Sequence, residues 1–185
     1  MKFLVTGLGN PGDEYVHTRH NMGFLAVDYV ALQHKLSFCA ERYALVGSTV
    51  VGDHELYLIK PVTYVNESGR AVRYWLQRLK IPIERSLVIV DDIALPFGVM
   101  RFRTRGTSGG HNGLKSLSTY LVSQDYPRLR LGIGSNFQRG SLSAFVLGKF
   151  TAQEMDMLDL QFHKVYALVA DWMAKGSSYV MNRYN

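Results

Sequence analysis

Short runs rich in Val, Leu and Ile alternate along this chain with stretches whose apolar residues recur at helical spacing. That alternation constrains the fold more than any other feature. The strand-like runs are Phe3–Thr6, Ala44–Val51, Leu56–Ile59, Leu87–Val90 and Leu129–Ile133, mostly bounded by Gly or Asp. Helical periodicity falls at Gly23–Gln33, where Phe24, Val27, Val30 and Ala31 share a face, and again at Ala71–Leu79 and Leu114–Leu121. Thr151-Ala-Gln-Glu154 has the pattern of a capping box, in which Thr accepts from a free backbone N–H and Glu reaches back. It opens a last helix with an apolar stripe through Met155, Leu158, Phe162, Val165, Leu168, Val169 and Trp172. Strands interleaved with helices predict an α/β fold, a mixed central sheet flanked by helices on both faces. No repeat, low-complexity tract or Pro/Ser-rich linker marks a boundary, so residues 1–185 are read as a single domain.

Several classes are excluded at this level. At 47% hydrophobic and 19% charged the composition is not that of a disordered chain. The single cysteine, Cys39, has no disulfide partner and is expected to be a buried small hydrophobe. The apolar runs are far shorter than the ~20 residues a membrane span needs. Met1-Lys2-Phe3-Leu4-Val5 reaches Gly7 and Asn10 too soon for a signal peptide, which makes the cytoplasm the expected compartment. The charge is polarised: residues 60–149 carry 14 of the 21 Lys and Arg but 5 of the 15 Asp and Glu, a net +9 within a chain of +6. Such a window suits a polyanion, because displacing counterions from phosphates favours binding. A solvated basic face would look the same.

Two motif matches fail on their context. Gly7-Leu-Gly9-Asn-Pro-Gly12 has the spacing of a dinucleotide fingerprint, but Asp13-Glu14 follow it and no helical periodicity begins there to offer amides to a pyrophosphate. Gly106-Thr-Ser108-Gly-Gly110 has the spacing of a serine-hydrolase elbow, yet its approach, Arg101-Phe-Arg103-Thr-Arg105, is not a buried parallel strand. A glycine-rich loop lending amides to an anion fits that segment better.

Polar groups able to do chemistry gather instead at element ends. Asn10 follows the first strand on a turn shaped by Pro11 and Gly12, and His20-Asn21 closes the next loop. Asn66 ends another loop, Asp91-Asp92 end the most apolar strand, and His111-Asn112 stand in a glycine-rich loop. In open α/β sheets ligands bind beyond the carboxyl ends of strands, where Asn10 and Asp91 fall. Each also has a structural reading: Asn66 could cap a helix near Glu67, His111-Asn112 one at Leu114, and Asp91-Asp92 could be turn residues. Together, three asparagines, two histidines and an aspartate with no metal-like Cys/His spacing suit a histidine base acting on water, with neutral amides gripping substrate.

Gly7-Leu-Gly-Asn-Pro-Gly-Asp-Glu-Tyr15, Thr18-Arg-His-Asn-Met-Gly-Phe24, Lys60-Pro-Val-Thr-Tyr-Val-Asn-Glu-Ser-Gly69 and Gly109-Gly-His-Asn-Gly-Leu-Lys115 resemble blocks of bacterial-type peptidyl-tRNA hydrolases. Leu95-Pro-Phe-Gly98, Arg128-Leu-Arg-Leu-Gly-Ile-Gly134 and Phe145-Val-Leu-Gly148 do too, in order along the chain. The resemblance implies a monomeric esterase without metal or cofactor. It would cut the ester joining peptide to the tRNA 3′ ribose, with RNA and not DNA or membrane as its partner. It makes His20 the catalytic histidine and Asp91 its partner. Asn10, Asn66 and Asn112 become substrate-binding asparagines, Tyr15 and His111 further cleft residues. Arg103 and Arg130 become the pair holding the tRNA 5′ phosphate, and Arg139 a further tRNA contact. Val65 stands where the family usually has Met, and Ala94 where Asp is common. A catalytically silent RNA-binding protein on the same fold is the alternative, with a nucleotide enzyme a distant third.

Overall fold

In a computed structural model describing all 185 residues, thirteen strands and α-helices follow one another as β1 (Lys2–Gly7), α1 (Met22–Gln33), β2 (Cys39–Glu41), β3 (Ala44–Val51), β4 (His54–Pro61), α2 (Ser68–Leu79), β5 (Ser86–Asp92), β6 (Met100–Arg103), α3 (Asn112–Leu121), β7 (Arg128–Gly132), α4 (Leu142–Val146), α5 (Ala152–Lys175) and α6 (Ser177–Tyr184). The strands form one sheet in the order β2-β3-β4-β1-β5-β7-β6. Its centre, β4-β1-β5-β7, is parallel, and antiparallel strands close both edges. The sheet is therefore mixed, as the sequence predicts.

Two cores fill its two faces. Phe3, Val5, Leu87 and Ile89 point toward α1, α5 and α6, whereas Leu4, Val88 and Val90 meet Val72, Trp75, Leu114 and Leu117 of α2 and α3. Alternation along β5 explains why Leu87–Val90 is apolar at every position: both faces of the strand are covered. Close packing of α1 depends on two glycines. A Cβ on Gly7 would lie 2.2 Å from the Gly23 carbonyl oxygen, and one on Gly23 would lie 2.4 Å from that of Ile89. The capping box forms as expected, with Glu154 N donating to Thr151 Oγ1 and Thr151 N to Glu154 Oε2. No helix is long and apolar enough to cross a membrane.

The structure adds elements that the periodicity did not announce. β6 alternates exposed Arg101 and Arg103 about buried Phe102, which is tolerable because it is an antiparallel edge strand paired only with β7. The long last helix breaks at Gly176, where a φ of 82° separates α5 from α6. Cys39 departs from its expectation of burial: it is exposed, because β2 is a three-residue strand at the sheet's outer edge with every residue exposed.

Candidate active site

The connection leaving β1 runs through α1 on one face toward β4. The chain leaving its neighbour β5 goes the other way, through edge strand β6 and then α3 on the other face, to β7. Adjacent strands whose exits diverge in this way open a crevice at their carboxyl ends. A cleft of about 360 Å³ lies there, with Asn10, His20, Asp91, His111, Asn112 and Arg130 in its wall beside apolar Val65, Ile93, Leu142, Val146 and Leu147.

Asp91 is the centre of the polar wall. Its carboxylate is 3% exposed and receives two imidazoles: His20 Nδ1 lies 2.9 Å from Oδ1 and 3.1 Å from Oδ2, and His111 Nε2 lies 3.0 Å from Oδ1. His111 Nδ1 accepts from the amides of Gly113 and Leu114 at 3.0 and 3.4 Å, so that ring carries its proton on Nε2 and donates it to Asp91. An ionised Asp91 likewise holds the His20 proton on Nδ1. His20 Nε2 makes no hydrogen bond within the chain and keeps its lone pair for the cleft.

The electrostatics follow. Burial pulls the His20 pKa down, but the hydrogen bond to Asp91 and its negative charge outweigh burial and leave it above the ordinary 6.5. Burial pushes Asp91 up, yet the charge and hydrogen bonds of His111 and His20 hold it well below the usual carboxylate range. His20, Asp91 and His111 place their donor atoms within 4.8 Å of one another, as a metal centre would. The tautomer argues against that use: His111 could offer Nε2 to a cation only with its proton on Nδ1, where two backbone N–H groups already donate.

Asn10 is buried and fixed. Its Oδ1 accepts from Val65 N at 2.8 Å, and its backbone N–H and C=O are bracketed by the Asn21 carboxamide at 2.8 and 2.9 Å. Its Nδ2 group has no partner in the chain and lies on the cleft wall. Asn112, the first residue of α3, is exposed at the rim. Asn66 lies outside the cleft lining, exposed in the 3-10 turn Val65–Glu67 beside it, and it does not cap α2, whose N-cap is Glu67. Tyr15, half-buried in the turn Asp13–Tyr15, also lies outside the lining.

The arginines divide. Register places Arg101 opposite Arg130 and Arg103 opposite Arg128, so all four share one face of β6 and β7. Arg128 is buried over the Tyr126 ring and donates to the carbonyls of Gly106, Thr107 and Gln124. Arg130 meets Asp92 at 3.3 Å and the Thr107 carbonyl at 2.7 Å, on the cleft wall. Arg103 and Arg139 are exposed, lie outside the lining and make no ion pair. Within the +9 window, Arg128 is thus a prop for the glycine-rich loop.

Sequence reasoning singled out His20 but gave Asn21 no role, although Asn21 fixes the Asn10 loop. The neighbouring signal was the His20-Asn21 pair itself. Ala94 is exposed and offers its backbone N–H to Asp92 Oδ1 at 2.8 Å. The discounted fingerprint is followed by a 3-10 turn, Asp13–Tyr15, and no α-helix begins until Met22.

Residues 4–185 match the family model of peptidyl-tRNA hydrolase. The chain belongs to the peptidyl-tRNA hydrolase family. It is 45% identical over 185 residues to the peptidyl-tRNA hydrolase of Phocaeicola vulgatus, covering all of this chain and 99% of that one. It is 46% identical over 186 residues to that of Porphyromonas gingivalis, covering both in full. The crystal structure of peptidyl-tRNA hydrolase from Acinetobacter baumannii superposes with a TM-score of 0.92 at 32% identity, over 99% of this chain and 94% of that one. The α/β fold is the family's, and the cleft at the carboxyl ends of β1 and β5 is this chain's candidate active site.

Proposed function

We propose that this chain hydrolyses the ester joining the peptide to the 3′ ribose of tRNA in peptidyl-tRNA, with His20 as general base. The observation that carries the reading is the free Nε2 of His20, facing the cleft while Nδ1–H is engaged by buried Asp91. Nε2 takes a proton from water as the water oxygen attacks the ester carbonyl, and Asp91 stabilises the imidazolium that forms. Collapse of the tetrahedral intermediate breaks the bond to the ribose oxygen, which takes the proton from Nε2. The products are a free tRNA 3′ hydroxyl and a peptide carboxylic acid, which gives water's second proton to solvent and leaves as the carboxylate.

Asn10, Asn66 and Asn112 grip peptide carbonyls and N–H groups without reading side chains, as a substrate of arbitrary sequence requires. Tyr15 and His111 complete the surroundings of the cleft. Arg130, Arg103 and Arg139 meet tRNA phosphates, and the enzyme acts as a cytoplasmic monomer needing no metal or cofactor. Release of a labelled N-blocked aminoacyl group from tRNA tests the reading. His20→Ala should lose release by orders of magnitude while binding tRNA with wild-type affinity; release persisting in His20→Ala removes His20 as the base. No release by the unaltered chain, with tRNA still bound, leaves a silent RNA-binding protein.

A further inference from the structure

We propose that His111 serves the reaction as a positioning residue, tethering the Asp91 carboxylate to the N-terminus of α3 so that it faces His20, and does not itself grip substrate; this rests on His20 being the base. Both of its ring nitrogens are already committed. Nδ1 accepts from Gly113 and Leu114, and Nε2–H donates to Asp91, which leaves no hydrogen-bonding capacity for a ligand. The side chain is 7% exposed, and the ring leans on that of His20 with centroids 4.9 Å apart. Gly113 makes room for it: a Cβ there would lie 3.0 Å from His111 Cε1 and 2.7 Å from Leu8 Cδ1.

The consequence is directional. Two donors converge on Asp91 Oδ1, one from each histidine, so His111 competes with His20 for the same carboxylate oxygen. Removing the His111 donor would leave the carboxylate to His20 alone and strengthen its hold on the His20 proton. Asp91 from β5 and His111, the N-cap of α3, are the groups facing His20. The next charges are paired elsewhere, Asp92 with Arg130 and Arg19 with Glu154.

Two substitutions separate the halves of the role. In His111→Asn the shorter side chain keeps an acceptor for the α3 amides but cannot reach Asp91. In His111→Gln the amide N–H reaches toward Asp91 while the cap is lost. For His111→Asn, kcat should fall roughly 10- to 100-fold, the range for losing an orienting partner. KM for peptidyl-tRNA should hold, and the acid limb of kcat/KM should move to higher pH. For His111→Gln the limb should stay at its wild-type position while Tm drops. A raised KM with an unmoved limb in His111→Asn would mean direct substrate contact and overturn the proposal. An unmoved limb with unchanged KM would reduce His111 to a helix cap and overturn it as well. Release persisting in His20→Ala would show that the underlying base assignment had failed.

Discussion

Replacing Asp91 by Asn removes one negative charge at almost constant volume, and its effect can be worked from the geometry. The carboxylate meets His20 Nδ1 at 2.9 Å, in a wall where His20 is 12% exposed and Asp91 3%. Taking about 4 Å between charge centres and an effective dielectric near 20, the attraction between carboxylate and imidazolium is about 4 kcal/mol. At about 1.4 kcal/mol per decade, losing it where the imidazolium forms slows the plateau rate roughly 1,000-fold. The pH profile gives a sharper test, because rate alone falls for many reasons. In the unaltered chain burial lowers the His20 pKa and Asp91 more than restores it, so with His20 as the base the acid limb should lie above the ordinary 6.5 of imidazole. In Asp91→Asn the negative charge is gone while burial stays, and the limb should move to lower pH. Single-turnover release from N-blocked aminoacyl-tRNA, measured between pH 5 and 8 on material whose Tm shows it folded, reads both quantities. A limb that stays or rises, or a plateau loss under about tenfold, refutes Asp91 as the counter-charge of His20.

Arginines on one face of β6 and β7 should part company in a salt titration. Arg103→Ala should leave Tm alone and lower the slope of log K against log salt for tRNA by about 0.7 to 0.9, the loss of one phosphate contact. Arg128→Ala should instead lower stability by about 1 to 3 kcal/mol, read as the urea midpoint, because the carbonyls of Gly106 and Gln124 lose their donors. Gly23→Ala should cost about 1 to 3 kcal/mol or more, since its Cβ would lie 2.4 Å from the Ile89 carbonyl oxygen and α1 must lift off the sheet. A Tm within a degree of the unaltered chain would contradict that close approach.

What was legible in the sequence follows from the reach of each signal. β5 could be read because a strand covered on both faces carries an unbroken apolar run, Leu87 to Val90, before Asp91-Asp92 close it. α5 could be read because Thr151 and Glu154 sit three residues apart and cap each other locally. β6 could not, since one buried Phe102 between two arginines becomes a strand only through its pairing with β7. The same limit governs the site. The resemblance paired His20 with Asp91 across 71 positions, but composition had no means of doing so. Arg128 and Arg130 look alike in the sequence, yet one is spent on loop carbonyls and the other lies on the cleft wall.

The turn Arg19–Asn21 explains how so small a segment organises the cleft. It is a 3-10 turn, with three residues per revolution, so its three successive side chains leave it in three directions. Arg19 turns toward the far wall. Its guanidinium holds both oxygens of Glu154, donates to the Lys149 carbonyl and lies 4.7 Å over the Phe145 ring, fixing the end of α4 and the start of α5. His20 turns to Asp91 at the end of β5. Asn21 turns to the loop after β1 and brackets Asn10, whose own Oδ1 reaches on to Val65 before α2. An α-helix at this position would turn consecutive side chains by about 100° and space the three directions unevenly. With 120° between them, one tripeptide ties the apolar wall, the His20–Asp91 pair and the Asn10 wall to a single point. The distance from His20 Nε2 to any atom held between those walls is thereby set by the fold before a substrate arrives.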